Sequence, residues 1–449
     1  MKSYFYSLLR RYLSLSILPQ NSVVELDPAN DFLVRSFPNS HICFKDTQPN
    51  LQGLPSHFRR ASLDKAIAFT DIATLDPDYI VISAPIHAHR DLQALLREVH
   101  LVSKPHTRLI IIYYSSLWSP IAKLATWLGL REKTQRANWL THEDLHNLLV
   151  LENFDLIKRE QKVLMPFHIP LLSDWINRYI APLPLIKHLC LVNIAIARPV
   201  FPSAPFKDAS VSIVVPARNE AGNIEAILQR IPKMGPDDEI IFIEGGSKDK
   251  TWETIVACAT QSAGHSGKRI LSGRQTGKGK GDAVRLGFSM AKNPILMILD
   301  ADMTVPPEDL PKFYRAITEG KGEFINGSRL VYPMEKRAMR FFNLLGNKFF
   351  AAAFSFVLGQ PFKDTLCGTK VISKANYEAL AANRHYFGDF DPFGDFDLIF
   401  GAARMGLKIV EVPITYRERT YGSTNISRWR HGVILLTMLV FSARRIKFL

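Results

Sequence analysis

Short runs that are apolar at every position alternate with helical patterns along most of this 449-residue chain. VSIVV at 211–215 and ILMIL at 295–299 are two such runs. Strands of this kind are covered on both faces, which is typical of parallel sheets packed between helices. The pattern predicts an α/β fold with strands at 22–26, 78–83, 108–113, 211–215, 239–243, 269–271, 295–299 and 323–326, and helices at 91–101 and 142–151.

The segment 198–209 reads RPVFPSAPFKDA, and its three prolines with little periodicity predict a linker. At about 150 residues per domain, the length fits two or three domains. We therefore expect two three-layer α/β/α domains, at 1–197 and 210–449. The run 4–19 is predicted to be a helix leading into the first strand, because Arg10 and Arg11 divide its apolar part and exclude a signal peptide.

Composition narrows the class of protein. Hydrophobic residues at 47% and charged residues at 22% are typical of a globular protein and exclude disorder, collagen and coiled coil. The four cysteines are widely spaced, which argues against a disulfide framework or zinc site and favours a reducing compartment. The net charge of +14 is compatible with nucleic acid, an anionic membrane or a phosphorylated substrate as partner.

Polar loops follow the predicted strands of the second half, where open α/β sheets bind their ligands. Two of these loops carry Pro216, Ala217, Arg218, Asn219, Glu220, Glu244, Ser247 and Asp249. A turn with Asn219 as a helix cap is the alternative interpretation of the first loop. A third loop, QTGKGKGDA, interleaves glycines with Lys278 and Lys280 and suits phosphate, although a solvated basic turn stays open. It is no Walker A loop, because neither lysine is followed by Ser or Thr.

The strand ILMIL runs directly into Asp300 and Asp302. Alternate residues leaving a strand can converge on one ion, and two carboxylates suit Mg²⁺ or Mn²⁺ bridging a diphosphate. A single acidic residue after a buried strand is commonly a cap, but two beside a Gly/Lys loop favour a divalent metal site.

In their order and spacing, VSIVVPARNEAGNI, EGGSKDKT, GKGKGDAVRLGF and ILDADMTVPPEDL resemble a family 2 glycosyltransferase with the GT-A fold. NGSRL, DTLCGTK, GDFDLIFGAARMGLKIVEVPITYRER and YGST make residues 211–449 similar to the polyprenyl-phosphate (dolichol-phosphate-type) members. The resemblance implies inverting transfer of a hexose from a UDP- or GDP-sugar to a polyprenyl phosphate. It also implies a metal at Asp300 and Asp302 and a nucleotide-sugar site at Pro216, Ala217, Arg218, Asn219, Glu220, Glu244, Ser247, Asp249, Lys278, Gly279, Asp282 and Asp300.

The kind of acceptor decides whether a general base is needed. A sugar hydroxyl needs one, and Asp395 or Asp397 occupies the family's corresponding position. A lipid monophosphate is already ionised at neutral pH and needs cations instead. The resemblance implies that Arg417, Arg419 and Ser423, with Arg329, lie near that phosphate. We expect the lipid phosphate; a sugar hydroxyl in glycan or cell-envelope synthesis is the alternative.

Two apolar segments predict attachment to a membrane surface. Polar residues interrupt the segment 341–358, and the segment 433–441 is only nine residues long. Neither therefore supplies the roughly 20 uninterrupted apolar residues of a spanning helix. We expect both to lie in the bilayer interface, with core helices as the alternative. We therefore expect a peripheral protein on the cytoplasmic face of the membrane. We expect no nucleic acid partner.

The first half carries YIVISAPIHAHRDLQALLREVHLVSKPHTRLIIIYYS and WLTHEDLHNLLVLENFDLI, and residues 5–197 resemble class I SAM-dependent methyltransferases with a Rossmann-like sheet. Glu25 matches the family's acidic residue, but the cofactor loop reads DPAND, without the glycines that let backbone approach SAM. We expect a degenerate domain that does not bind SAM. An active methyltransferase half is one alternative, and a chain in which both halves have become a non-catalytic binding module is another.

Overall fold

The computed structural model describes residues 2–44, 64–83, 85–129, 138–202, 206–262, 269–331, 341–384, 395–417, 419, 421 and 428–449. The chain divides into two compact units, Met1–Pro202 with Arg444–Leu449, and Ser203–Ala443. Both are α/β, which confirms the predicted fold class, and every predicted strand matches an observed one to within three residues at each end.

The first unit contains a seven-stranded sheet in the order β3-β2-β1-β4-β5-β7-β6. Its strands are β1 Val23–Leu26, β2 Ser40–Cys43, β3 Ala66–Ile67, β4 Tyr79–Ile82, β5 Arg108–Tyr114, β6 Phe154–Lys162 and β7 Val192–Pro199. Its α-helices are α1 Lys2–Leu13, α2 Phe32–Ser36, α3 Ile72–Leu75, α4 Pro85–Ala88, α5 Leu92–Val102, α6 Ser119–Trp127, α7 His142–Leu151 and α8 Leu172–Trp175.

Side chains of successive residues in a strand point to opposite faces of the sheet. In the central strands of this sheet they therefore face two separate hydrophobic cores. Val24 and Ile80 pack on the side covered by α5 and α7. Val23 and Val81 pack on the other side, against α1. The first unit therefore has helices on both faces of its sheet.

The second unit contains another seven-stranded sheet, in the order β10-β9-β8-β11-β13-β12-β14. Its strands are β8 Val211–Ala217, β9 Glu239–Glu244, β10 Arg269–Arg274, β11 Ile295–Ile298, β12 Phe324–Ser328, β13 Lys370–Ser373 and β14 Ile409–Pro413. Its α-helices are α9 Ile224–Arg230, α10 Thr251–Ser262, α11 Lys280–Met290, α12 Leu310–Thr318, α13 Phe341–Leu358, α14 Lys374–Ala382, α15 Asp395–Arg404 and α16 Arg428–Ser442.

Both sheets are mostly parallel, as the pattern predicts, but each contains one reversed strand that the pattern does not indicate. In the first unit β7 runs antiparallel to both β5 and β6. In the second, β13 runs antiparallel to β11 and β12. An apolar run reports that a strand is buried and carries no information about its direction.

The ends of the units differ from the predicted domain ends. Arg198 and Pro199, the first two residues of the predicted linker, belong to β7. The last six residues were predicted in the second domain but belong to the first unit. Side-chain contacts explain this, because Lys447 Nζ lies 2.9 Å from Glu160 Oε2 and Arg178 Nε donates to the Phe448 carbonyl at 3.2 Å.

The two apolar segments form α13 and most of α16. Phe354 of α13 is buried against Phe396 and Phe400, with ring centroids 5.3 and 5.6 Å away. Other apolar side chains of the two helices are exposed, among them Phe349 and Val433. Each helix therefore has both a core side and an exposed apolar side. In the described part of the chain no helix combines the length and the apolar character needed to cross a membrane.

Glu25 of β1, the acidic residue of the methyltransferase resemblance, is buried. Its side chain is 5% exposed and accepts a hydrogen bond of 2.7 Å from the Ser83 hydroxyl. Burial raises the pKa of Glu25 to about 7, against the opposing effect of that hydrogen bond.

Replacing Gly287 of α11 tests how closely this helix packs on the sheet. A Cβ here would overlap the γ-methyl groups of Val214. Gly287→Ala should therefore destabilise the second unit by about 1–2 kcal/mol in urea unfolding, although alanine favours the helix. Gly346→Ala in α13 is the matched control, because no described atom lies within 4 Å of the added Cβ. Equal stability of both variants would contradict the close packing.

Glu25→Gln should change how the stability of the first unit depends on pH. The folded pKa lies above that of an ordinary glutamate, so the stabilisation is complete below about pH 4.5 and is lost as the pH rises through 7. At pH 8 the variant should be more stable than the wild type by up to about 3 kcal/mol, and at pH 4 the two should agree. Urea unfolding at both pH values measures this, with the exposed Glu143→Gln as control. An unchanged pH dependence in Glu25→Gln would contradict the prediction.

Candidate active site

The predicted site loops lie at one edge of the second sheet. Strands β10, β9, β8 and β11 are neighbours in that order and run parallel. Their carboxyl ends therefore meet at the same edge, as expected for a ligand site in an open α/β sheet.

The loops after β8 and β9 are joined by hydrogen bonds. The Asn219 amide donates to Ser247 Oγ at 3.0 Å, and Asn219 Oδ1 accepts from the Lys248 amide at 2.8 Å. Asn219 has φ +57°, a left-handed conformation that asparagine tolerates better than most residues. Its side chain thus joins two loops, and the alternative of Asn219 as a helix cap is wrong.

Asp249 fixes the same pair of loops. It accepts hydrogen bonds from the Ala221 amide at 3.3 Å, from the Thr251 amide at 3.1 Å and from the Thr251 hydroxyl. Burial acts to raise the pKa of Asp249, but these hydrogen bonds outweigh it and the pKa is lowered. The carboxylate is therefore ionised and held by the protein itself.

Glu244, at the end of β9, is 5% exposed. It accepts from the Ser247 amide at 2.5 Å and lies 3.7 Å from Arg274 Nε. The Arg274 guanidinium in turn lies 4.3 Å from the centre of the Trp252 ring. Glu244 thus closes the turn formed by Gly245 and Gly246 at this edge.

The Gly/Lys loop is folded onto the start of α11 by Asp282. Its carboxylate accepts from the Gly277 amide at 3.0 Å, and a Cβ on Gly277 would overlap that carboxylate. Gly279 has φ +86°, which favours glycine. Lys278 is exposed, whereas Lys280 is turned inwards and its Nζ lies 2.5 Å from Asp300 Oδ1.

The acidic pair at the end of β11 is matched by two cations. Lys280 pairs with Asp300, and Arg419 Nη2 lies 2.7 Å from Asp302 Oδ2. The other Asp302 oxygen accepts from the Thr304 hydroxyl at 2.8 Å. The Asp300 and Asp302 side chains remain 27% and 18% exposed, so a ligand can reach them.

Glu220 completes this charged group. Arg419 Nη1 donates to Glu220 Oε1 at 3.0 Å, and Asn223 Nδ2 donates to Oε2 at 2.7 Å. Burial raises the pKa of Glu220, although the Arg419 charge opposes it. Arg419 therefore bridges two carboxylates, one from the loop after β8 and one from the loop after β11.

Two residues of this group were missing from the sequence-derived site. Lys280, the second lysine of the Gly/Lys loop, approaches Asp300 in place of Lys278. Gly368, within DTLCGTK, faces the same carboxylate, and a Cβ there would overlap Asp300 and the Lys280 amine. The motifs contained both residues, but only the packing distinguishes them from their neighbours.

The predicted acceptor residues have different partners within the second unit. The Arg417 amide donates to the Thr304 carbonyl at 3.0 Å, beside the acidic pair, and its side chain is exposed. Arg329 is 12% exposed and binds both oxygens of the buried Asp364, at 2.6 and 2.8 Å. Asp364 thus engages the Arg329 guanidinium within the unit.

The remaining predicted residues are the possible bases Asp395 and Asp397 and the phosphate-binding Ser423. Asp395 begins α15, but its side chain lies outside the described residues, as does all of Ser423. Asp397 lies 3.1 Å from Arg384 Nε.

The acidic pair has the chemistry of a divalent metal site. Carboxylate oxygens are the ligands that Mg²⁺ takes, commonly one or two from the protein with the rest from phosphate and water. Among the described residues no group of three or more His, Cys, Asp or Glu side chains surrounds a common point. Asp300 and Asp302 therefore fit a metal that shares its coordination with a bound phosphate.

Several known proteins are similar to this chain. The sequence profile described as "Glycosyl transferase family 2" matches residues 212–380. Glycosyltransferase AglJ of Haloferax volcanii is 31% identical over 242 residues, 54% of this chain and 74% of that protein. Dolichol-phosphate mannosyltransferase of Pyrococcus furiosus is 28% identical over 222 residues, 48% of this chain and 59% of that protein.

A solved structure is also similar. Glucosyl-3-phosphoglycerate synthase from Mycobacterium tuberculosis, in complex with UDP, aligns with a TM-score of 0.38 at 20% identity, over 54% of this chain and 82% of that one. The methyltransferase resemblance of residues 5–197 stays a prediction. The profile falls on the second unit. On the evidence of the profile and the AglJ relative, the chain is a glycosyltransferase and belongs to glycosyl transferase family 2.

Proposed function

We propose that the second unit transfers a hexose from a nucleoside-diphosphate sugar to a polyprenyl phosphate at a membrane surface. The observation that carries the proposal is the acidic pair Asp300 and Asp302, partly exposed at the carboxyl edge and matched by Lys280 and Arg419. The dolichol-phosphate mannosyltransferase relative supports the lipid phosphate as acceptor.

The nucleoside would lie against the interlocked loops after β8 and β9. Hydrogen bonds between Asn219, Ser247 and Lys248 fix the shape of these loops before a ligand arrives. Such preorganisation limits the entropy lost on binding. The proposed nucleotide-sugar contacts are those of Pro216, Ala217, Arg218, Asn219, Glu220, Glu244, Ser247, Asp249, Lys278, Gly279, Asp282 and Asp300.

The diphosphate would lie at the acidic pair, between Asp300 and Asp302 and the Gly/Lys loop. A bound Mg²⁺ or Mn²⁺ would neutralise charge on the departing nucleoside diphosphate. Lys280 and Arg419 hold the two carboxylates in the absence of a ligand. Both are long, flexible side chains, so they can exchange a carboxylate for a phosphate oxygen when the donor binds.

The acceptor phosphate would approach from the side of Arg417 and Arg419. Its own oxygen is the nucleophile, so this reaction needs no protein base. The bond from the anomeric carbon to the diphosphate breaks as the bond to the acceptor oxygen forms, with inversion. Ser423 would assist in binding the phosphate, and Arg329 is proposed as a positioning residue, because Asp364 engages it.

The exposed apolar sides of α13 and α16 support a membrane setting for this reaction. We propose that the reaction takes place on the cytoplasmic face of the membrane. The alternative is a sugar hydroxyl acceptor with Asp395 as the general base. The acceptor experiment below distinguishes the two acceptors.

Replacing the acidic pair tests the metal site. With Mn²⁺, a UDP- or GDP-sugar and a short polyprenyl phosphate, Asp300→Asn and Asp302→Asn should each lower kcat/KM by about 100-fold or more, because the charge on the leaving group loses its stabilisation. Asp237→Asn, an exposed substitution before β9, is the matched control and should keep full activity. Wild-type turnover in both site variants would overturn the proposal.

The acceptor is tested by comparing polyprenyl phosphate, the corresponding polyprenol and a glycan with free hydroxyls. We expect product with the phosphate alone. Arg417→Gln should raise KM for the lipid phosphate by about tenfold and leave KM for the donor unchanged, since a forked phosphate contact is lost. The exposed Arg315→Gln of α12 is the control. Turnover of the glycan without turnover of the lipid phosphate would show that the acceptor is a sugar hydroxyl.

A further inference from the structure

Two segments of the first unit expose many large apolar side chains, at 117–128 around α6 and at 167–189 around α8. We call them together the apolar edge. Its most exposed members are Leu171, Leu185 and Trp127, at 88%, 86% and 80% exposure. Exposed apolar residues are ordinarily scattered singly, so such a concentration indicates a binding surface.

The two segments lie at the same edge of the first sheet. One follows the end of β5 and the other follows the end of β6, and the last residues of both strands, Tyr114 and Lys162, pair with Val192 at the start of β7. A hydrogen bond of 3.0 Å from Trp118 Nε1 to the Leu189 carbonyl joins the segments directly. They therefore form one continuous surface.

Hydrogen bonds fix the backbone that presents these side chains. The Ser173 hydroxyl donates to the Phe167 carbonyl at 2.7 Å and accepts from the Ile169 amide at 2.8 Å. The Trp175 amide donates to the Leu171 carbonyl at 3.1 Å. Leu171 itself has φ +65°, which is uncommon for a leucine. The local structure thus holds an apolar side chain out in solvent.

A cationic cavity adjoins the apolar edge. Its lining includes Arg159, Lys187 and Lys447 together with Glu160 and Pro182. Pro182 and Lys187 belong to the second exposed segment, in which Pro182 precedes Leu183 and Lys187 lies between Leu185 and Leu189. The cavity therefore lies beside these exposed leucines.

Positive charge exceeds negative charge around this cavity. Lys158, Glu160 and Lys162 alternate along β6 and so share one face of the strand. Both lysines are under 10% exposed, and Glu160 Oε2 lies 3.4 Å from Lys162 Nζ and 2.9 Å from Lys447 Nζ. Burial acts to raise the pKa of Glu160, but Lys447 and Lys162 outweigh it and hold the pKa at about 2. With Arg159, Lys187 and Lys447 against Glu160 alone, the lining of the cavity favours an added anion.

We propose that the apolar edge docks on an anionic lipid bilayer, with a lipid phosphate bound at the cavity of Arg159, Lys187 and Lys447. Apolar side chains beside cations are the combination that binds an anionic membrane interface. Trp127, Trp175 and Tyr179 are of the aromatic types enriched at that interface. This docking concerns the first unit and goes beyond the proposed glycosyl transfer.

The test is co-sedimentation of the full chain with vesicles of phosphatidylcholine alone or with about 30% phosphatidylglycerol. We expect binding that is stronger with phosphatidylglycerol and weakens with salt. The double variant Leu171→Ser, Leu185→Ser should bind the anionic vesicles at least about tenfold more weakly. Arg159→Gln with Lys187→Gln should lose the preference for phosphatidylglycerol.

The matched control is Leu101→Ser with Leu151→Ser. These leucines are 77% and 62% exposed but lie at the ends of α5 and α7, towards the opposite edge, where β5 and β6 begin. The control should bind like the wild type, and circular dichroism melts should show that all variants fold. Full binding by the Leu171/Leu185 variant, or equal loss in the control, would overturn the proposal. So would a wild-type dimer that this variant dissociates, because the edge would then join two copies.

Transfer of sugar to a detergent-solubilised short polyprenyl phosphate separates the two proposals. The Leu171/Leu185 variant should keep that activity while losing vesicle binding. Loss of activity in the acidic-pair variants, with vesicle binding intact, would leave the docking proposal standing.

Discussion

The site depends on the balance of charge at the carboxyl edge of the second sheet. Glu220, Asp300 and Asp302 supply three carboxylates, and Lys280 and Arg419 are the cations that pair with them. Carboxylates that are partly removed from water must be paired, or they take up protons. Lys280 and Arg419 therefore hold the loops after β8 and β11, the Gly/Lys loop and the segment after β14 in one arrangement.

The same balance would make the site responsive to the diphosphate of the proposed donor. A ligand that brings negative charge would compete with Asp300 and Asp302 for Lys280 and Arg419, and it would leave the carboxylates available to a divalent cation. Gly368 and Gly277 contribute by lacking a Cβ, since a side chain at either would overlap a carboxylate of the site. The fixed parts of the edge, such as Asp249 with its backbone donors, keep their hydrogen bonds within the protein.

The sequence was sufficient to predict the sheet edge and most of the loops on it, because strand ends and loop composition are local properties. It was not sufficient to distinguish Lys280 from Lys278, because that choice depends on how α11 begins. Nor could it pair Arg329 with Asp364, which are 35 positions apart and meet only in the folded unit. The reversed strands β7 and β13 and the return of the last six residues to the first unit likewise depend on tertiary contacts that no local pattern encodes.

Calorimetric titration of UDP and GDP into the full chain, with Mn²⁺ or with EDTA, tests the two-carboxylate metal site most directly. We expect at least one of the nucleotides to bind about tenfold or more tightly with Mn²⁺, since Asp300 and Asp302 would hold the ion and its charge would favour the diphosphate. Equal affinity of both nucleotides in the presence and absence of the metal would contradict that site.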